Sequence, residues 1–380
     1  MLRAETCHPA DLALADVDAW RALCAKRPEF ASPLLGPEFA RAVGEMRADA
    51  RVAVWRWDDK PVGFLAYHRR PGGFARPIGA PLSDYHAVVS CGALDMPKAL
   101  AAAGISAYRF TGLVDPLHAF EAGVATRPEA YVIQLESDAE AYLEALRAAS
   151  PKRFKNYRRL DHKLDREVGA LEIVAPDHSQ DAFDRLIAWK REQLARTGVH
   201  DFLAPDWTRG LMQVLFQRRD GDFQGLMVNL YAGGRLVAGH FGVRLGGVYH
   251  PWIASTDPEL AAWSPGQLFL LRAIAAMPDL GLRTYDLGPG HDHYKRPYAL
   301  AVRTVAEGLI GAATPAGRTA EAAQAVWTLA GADGAGVAGR LRRRLDAIAT
   351  TELTLAGRAM GLASALAARA RRPGGAAEPA

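Results

Sequence analysis

The chain has 380 residues, 49% hydrophobic and 23% charged, a balance that fits a soluble globular protein and a length that exceeds one ordinary core, so two domains are expected. No apolar run approaches the ~20 residues a membrane span needs, and the opening "MLRAETCHPADLALADVDAW" lacks the apolar segment of a secretory leader. The formal charge of +4 sits entirely in residues 331–380, where eight arginines face four acids; the remaining 38 basic and 38 acidic residues cancel. Three cysteines (Cys7, Cys24, Cys91) without CxxC spacing argue against a disulfide framework or a cysteine zinc site, and a reducing cytoplasm is the simplest setting.

In chain order, "DLALADVDAWRALCAKR" has helical spacing, and "RVAVWRWDD" with "KPVGFLAYHRR" reads as two strands turning at Asp58–Asp59. "RRPGGFARPIGAPLSDY" is a Gly/Pro-rich loop. The helix "DMPKALAAAGI" and the strands "SAYRFTGLV" and "EAYVIQLES" follow. A second block opens at Ser150-Pro151, a helix-start signature, and runs on as a basic helix. The strand "LEIVAP" precedes the helix "SQDAFDRLIAWKREQLARTG", ended by Gly198, and the helix "WTRGLMQVLFQR". Three strands in "FQGLMVNLYAGGRLVAGHFGVRLGGVYHPWIAS" turn at Gly233–Gly234 and Gly246–Gly247, an antiparallel meander. The helix "SPGQLFLLRAIAAM", the strand "RTYDLG", a polar loop and the strand "RTVAEGLIG" complete the block. Both blocks are α+β, with expected boundaries at 1–143 and 144–312 and a tail over 313–380.

Two places carry candidate chemistry. In "WSPGQLFLL", Ser264 suits an N-cap, Pro265 a first helical position, and Gly266 a close backbone approach. Unpaired amides and the helix dipole make such an end an anion site; the plain alternative is an ordinary capped helix. In "YDLGPGHDHYKRPYA", Asp286 ends a predicted buried strand, as a base or as a cap on the turn that follows. His291 and His293 titrate near neutrality, Tyr294 suits donation to a leaving group, and Lys295 suits an anion or Asp286. The His291/His293 pair with His240 and His250 nearby falls short of a defined three-ligand geometry, so no metal is expected.

The order of basic helix, Trp189–Lys190 helix, GGRLVAG hairpin, SPG helix and YDLGPG…YK resembles the acyltransferase domain of the GNAT superfamily. More narrowly it resembles the bacterial exopolysaccharide, cellulose and holdfast subfamily, related to the Fem-type transferases that carry two GNAT-like domains in tandem. The resemblance is clearest over 145–312; over 1–140 only element order supports a degenerate first unit. It implies two tandem GNAT-like domains with mixed, largely antiparallel sheets, and acyl transfer from acyl-CoA, acetyl-CoA in the first instance, to the amine of an amino sugar or glycan. Ser264, Pro265, Gly266 and Gln267 would hold the donor. Asp286, His291, His293, Tyr294 and Lys295 would handle the proton and position the reactants. Arg153, Tyr157, Arg158, Trp189, Lys190 and His250 would bind the acceptor. A Fem-like aminoacyl-tRNA donor is the first rival, and a charge-neutral body argues mildly against it. No DNA partner is expected.

The tail places Leu341, Leu345, Ile348, Leu355, Leu362 and Leu366 on one helical stripe, interrupted by Glu352. Arg340, Arg342, Arg343 and Arg344 suit either an anionic membrane leaflet at the inner face of the inner membrane or an anionic nucleotide; by analogy with exopolysaccharide systems, the nucleotide would be cyclic di-GMP. That makes a regulatory scaffold the rival from another class. Packing of the leucines on the body is the structural alternative, and the closing "PGGAAEPA" is expected to be disordered.

Overall fold

Strands from both halves of the sequence mix in two sheets, and this exchange sets the geometry of everything below. The computed structural model describes residues 2–290, 292–331, 336–352 and 355–370. The first half runs β1 (Leu2–Cys7), α1 (Leu14–Ala25), α2 (Pro37–Met46), β2 (Ala50–Trp57), β3 (Lys60–Arg69), β4 (Phe74–Pro77), β5 (Val89–Ser90), α3 (Met96–Ala102), β6 (Ala107–Leu113), β7 (Val124–Thr126) and β8 (Glu129–Gln134). The second runs α4 (Ala139–Ala149), α5 (Pro151–Glu167), β9 (Leu171–Val174), α6 (Gln180–Thr197), α7 (Asp206–Gln217), β10 (Phe223–Ala232), β11 (Arg235–Leu245), β12 (Val248–Thr256), α8 (Pro265–Ala276), β13 (Thr284–Pro289), α9 (Asp292–Lys295), β14 (Ala301–Thr304) and β15 (Ala306–Gly311). The tail adds α10 (Pro315–Leu329), α11 (Val337–Thr351) and α12 (Leu355–Ala370).

The first sheet has the order β1-β2-β3-β4-β6-β15-β7, with β5 on β3; the second has the order β14-β8-β13-β12-β11-β10-β9. Strand β8, expected in the first unit, thus lies between β14 and β13 of the second sheet, and β15, expected to end the second unit, pairs with β6 and β7 of the first. The sheets therefore do not follow the expected division at 143/144. Each half supplies a strand to the other's sheet, so the halves are tied by backbone hydrogen bonds as well as by side-chain packing.

The turns fall where the sequence places them. Asp58 and Asp59 both adopt positive φ (46° and 65°) between β2 and β3, and Gly233 and Gly234 (56° and 79°) do so between β10 and β11, as two-residue hairpins require. One hydrophobic core joins the halves, with Trp20, Phe39 and Phe64 from the first meeting Phe183, Phe216 and Phe241 from the second. Another lies on the far face of the second sheet under α4, α5 and α8, built from Leu146, Leu160, Leu164, Phe269, Ile274, Tyr249 and Tyr285.

The tail docks on the body, but through arginines more than through its leucine stripe: Ile348 is buried, whereas Leu341 is 53% exposed and Leu362 40%. Asp346 of α11 is held by Arg76 (2.9 Å) and Arg109 (2.6 Å), Arg70 donates to the carbonyls of Ala349 and Thr350 at the helix end, and Trp207 Nε1 donates to Thr351 O. Arg342 is buried against Gln324 and the Trp327 ring, and Arg344 donates to Gly198 O at 3.0 Å. Two of the four arginines expected to meet a nucleotide or membrane thus face the protein itself. The segment expected to be disordered, with residues 371–380, lies outside the described residues. Replacing Asp346 by alanine takes the carboxylate from Arg76 and Arg109, at a cost of about 1–3 kcal/mol. Faster limited trypsinolysis within residues 340–344 is the expected result, and an unchanged cleavage rate would show that this ion pair does not hold the tail.

Candidate active site

Strands β12 and β13 run parallel but pair only at Val248–Thr284 and Tyr249–Tyr285. Beyond that point they part, β12 continuing to Thr256 along β11 and β13 to Pro289 along β8. The wedge between them opens into a pocket of about 610 Å³. Ala254, Ser255 and Thr256 of β12 form one wall and Pro289 and Gly290 the other. The start of α8 (Gly266, Gln267), the Trp189–Lys190 pair of α6, and Tyr294 and Lys295 of α9 close it. Six of the sequence-expected site residues therefore meet in one cavity.

The first turn of α8 departs from the expected cap. Ser264 adopts the left-handed conformation (φ 50°, ψ 51°) and its side chain makes no cap hydrogen bond. A serine in this region is strained, because its Cβ crowds the following carbonyl. Ser264 Oγ therefore takes none of the first amides, while Gln267 N–H donates to the Ser264 carbonyl at 3.0 Å. Pro265 follows as the first helical residue, with no amide to leave unpaired. Gly266 brings the backbone close to β12; a Cβ there would lie 3.1 Å from Thr256 Cγ2.

The pocket is cationic. Lys295 Nζ donates to the carbonyls of Pro289 (2.7 Å) and Gly288 (3.4 Å), and Lys190 Nζ to Gln193 Oε1 (3.2 Å). Burial, then the neighbouring Lys295, pulls the Lys190 ammonium below the usual lysine range. Burial lowers Lys295 as well, against the opposing pull of Asp84 and Asp286. His240, at the floor, is brought down to about 3 by burial and by both lysines; its Nδ1 lies 2.7 Å from the Tyr285 hydroxyl. Cations crowded in a half-buried site gain most from an anion, and the α8 amides and dipole point the same way. Phe269, Leu270 and Ala254 give the same pocket an apolar lining suited to a chain behind the charged group.

Asp286 lies elsewhere. Tyr285 and Leu287 face the core under α8, and the alternation of a strand turns Asp286 to the opposite face. There it is 1% exposed and accepts from Tyr85 Oη (2.7 Å) and from Gly288 N–H (2.9 Å). His250 sits on the same face, fully buried, with Nε2 3.0 Å from Asp84 Oδ2 and Nδ1 3.8 Å from Asp286 Oδ1. Arg303 of β14 brings Nη1 to 3.9 Å from Asp286 Oδ2. This polar cluster stands at the apex of the wedge, since His250 and Asp286 directly follow the last paired residues of β12 and β13. Gly288 (φ 73°) joins cluster and pocket: a Cβ on it would lie 2.6 Å from Asp84 Oδ2, and the next two residues line the pocket.

Of the remaining expected residues, Tyr157 is core, stacked on Tyr298 at 6.1 Å. Arg153 is exposed, and Arg158 borders a separate pocket of about 440 Å³ between α4, α5 and α8. The basic helix thus stays away from the wedge. His291 lies outside the described residues, and His293 is described in its backbone only. Among the described residues no group of three or more His, Cys, Asp or Glu is placed to hold a metal. Asp84, Tyr85 and Arg303 escaped the sequence reading, which met His240 only as a candidate metal ligand. The first two close the Gly/Pro-rich loop as "LSDYHAVV", where a cluster of polar side chains just before an apolar run was the available signal.

Residues 151–296 match the family described as "Acetyltransferase (GNAT) domain". That span holds the splayed strands, α8 and the cationic pocket. These residues form a GNAT acyltransferase domain, and the chain is a transferase. The match covers less than half of the chain. The fold resembles that of FemX, with a TM-score of 0.51 at 12% identity over 80% of this chain and 96% of that one. It also resembles a tandem GNAT protein from the clavulanic acid biosynthesis pathway, with a TM-score of 0.47 at 12% identity over 83% of this chain and 99% of that one. A further likeness is to the C-terminal domain of a putative lysylphosphatidylglycerol synthetase from Agrobacterium fabrum (0.45, 13% identity, 78% and 91% covered). At these identities the likeness is one of fold. No curated protein matches the sequence.

Proposed function

We propose that the GNAT domain transfers an acyl group, acetyl in the first instance, from acyl-CoA to the amine of an amino sugar destined for a bacterial surface polysaccharide. The observation that carries the donor half is the cationic wedge: Lys190 and Lys295 flank the α8 start, where a diphosphate would meet both charge and backbone amides. Behind it, the gap between β12 and β13 offers unpaired strand edges to an extended amide-bearing arm. For the acceptor, support comes from the sequence resemblance to the exopolysaccharide subfamily and from Trp189, whose indole borders the pocket and suits a sugar face. Gly266 and Gln267 are assigned to the donor, Tyr294 to the leaving thiolate, and Asp286 to a partner role behind the reacting atoms.

A cytoplasmic setting follows from a donor made there. Among the described residues no helix is long and apolar enough to cross a membrane. The docked tail, with Arg342 and Arg344 engaged on the body, favours a structural strap over a nucleotide-sensing arm. The test is thiol release from acetyl-CoA in the presence of glucosamine, run beside aminoacyl-tRNA as donor. Release that depends on glucosamine supports this reading. Transfer from charged tRNA alone would replace it with the Fem-type reaction.

A further inference from the structure

Three buried polar atoms at the apex of the wedge make no hydrogen bond: Nδ1 of His250, Oδ2 of Asp286 and Nη1 of Arg303. The residues bearing them are spaced 3.8 Å (His250 Nδ1 to Asp286 Oδ1) and 3.9 Å (Arg303 Nη1 to Asp286 Oδ2) apart. That is about 1 Å beyond a direct hydrogen bond, and a spacing that one shared water spans well. Burying such atoms unpaired costs about 1–3 kcal/mol each, so their convergence calls for a purpose.

The other nitrogen of His250 fixes its tautomer. Asp84 presents only acceptors when ionised, so Nε2 carries the hydrogen and donates to Oδ2 at 3.0 Å. In that tautomer Nδ1 is bare and turned inward towards Asp286. The Asp84 side chain is 38% exposed, so the chain Asp286–His250–Asp84 runs from the wedge apex to solvent. The ordered loop that holds Asp84 is pinned by Gly112 (φ 66°), where a Cβ would lie 1.9 Å from Asp84 O.

We propose that Asp84 and His250, backed by Asp286, form a proton relay that carries the acceptor amine's proton from the wedge to solvent. The proposal rests on the N-acyltransferase reading above. The amine nitrogen attacks the thioester carbonyl, forming the C–N bond, and collapse of the adduct breaks the C–S bond. The proton shed by nitrogen passes through water to His250 Nδ1. Nε2–H is handed to Asp84 and then to solvent, and the thiolate takes one proton from solvent at the open end of the pocket; Asp84 then returns a proton from solvent to Nε2 while Nδ1 releases its own through water, which restores the starting tautomer. One proton has then moved from amine to thiol. His250 acts on the reacting atoms through water, so it and Asp84 are relay residues and not groups that touch substrate. The charged and titratable groups around this path are Asp84 and Tyr85 from the loop, Asp286 from β13, Arg303 from β14, and Tyr294 and Lys295 from α9, the last two through their coupling to Asp84.

Asp84→Asn and Asp84→Ala test this, since the position is partly exposed and neither change empties a core. With acetyl-CoA and glucosamine as probes, kcat should fall about 100-fold, the scale of a lost proton acceptor, and the acid limb of the pH profile should move. Acetyl-CoA affinity should stay within twofold. Unchanged kcat and acid limb in both variants would overturn the relay. A second measurement reads it without turnover: ¹⁵N-histidine NMR of the full chain, with His250 assigned by His250→Gln. A bare Nδ1 in the wild type that is lost in Asp84→Ala supports the relay, and a protonated Nδ1 in the wild type overturns it. If the wild type binds no acetyl-CoA, the donor reading fails and the NMR result alone decides the dyad.

Discussion

Replacing Lys190 and Lys295 together by methionine should weaken acetyl-CoA binding about a hundredfold while leaving the fold in place. Each lysine is half-buried beside the other, and each is destabilised as a cation by that burial. An anionic ligand relieves this, and a charge-assisted hydrogen bond in such a site is worth about 1.5–3 kcal/mol, or roughly ten- to a hundredfold in affinity. Methionine keeps the length and apolar body of the side chain, so the pocket retains its shape. Lys295 also braces the wedge wall through the carbonyls of Pro289 and Gly288. The single Lys190→Met variant is therefore the cleaner probe, with about a tenfold loss expected. Titration calorimetry checks both. An affinity within threefold of wild type in the double variant would mean that the anionic part of the donor lies outside this pocket.

The second large effect is acid lability. His68, His86 and His240 are each buried, and burial is the first cause that holds their folded-state pKa at about 4, about 3 and about 3, below the ordinary 6.5. The folded state keeps these rings neutral, whereas the unfolded chain takes up protons below pH 6.5. Stability is then present in full above that pH and is lost as the pH falls towards about 4. The slope is about 1.4 kcal/mol per pH unit for each ring, so three rings cost on the order of 4 kcal/mol between pH 7 and 5.5. The local reason is visible at two of them. His68 Nε2 accepts from Gly79 N–H at 2.9 Å, and His86 Nε2 from Thr111 N–H at 3.2 Å. A protonated ring cannot accept, so each backbone amide would lose its partner inside the core. His240 meets the two pocket lysines instead. Urea midpoints at pH 7.5, 6.5 and 5.5 should fall in that order, and a flat or rising series would show that these histidines do not control stability.

Local features were legible in the sequence because they depend on neighbours along the chain. Asp58–Asp59 and the Gly233–Gly234 pair mark hairpin turns through the φ values that only such residues adopt readily. The convergence of Gly266, Gln267, Tyr294 and Lys295 with Trp189 and Lys190 was readable only through resemblance, since the three segments they come from lie far apart along the chain. The strand exchange was not legible at all. "EAYVIQLES" and "RTVAEGLIG" have the pattern of buried strands, and nothing within them says which sheet they join. The same limit applies to Asp286. Period-two alternation separates it from Tyr285 and Leu287, but which face meets the donor depends on the partners across the sheet. Tyr157 shows the reverse case: helical spacing grouped it with Arg153 and Arg158, and its ring turned inward to stack on Tyr298. In the tail, the sequence did not show that Arg344 meets the body, because its partner Gly198 lies well over a hundred residues upstream.

The donor site itself is tested most directly by calorimetric titration of acetyl-CoA into the wild type and into Gly266→Trp. At Gly266 even a Cβ would come within 3.1 Å of Thr256 Cγ2, so an indole there must fill the mouth of the wedge. Saturable binding at one site in the wild type, abolished in Gly266→Trp while its circular dichroism and urea midpoint remain close to wild type, is the expected result. Equal affinity in the two proteins, or no binding to the wild type, would contradict a donor site between β12 and β13.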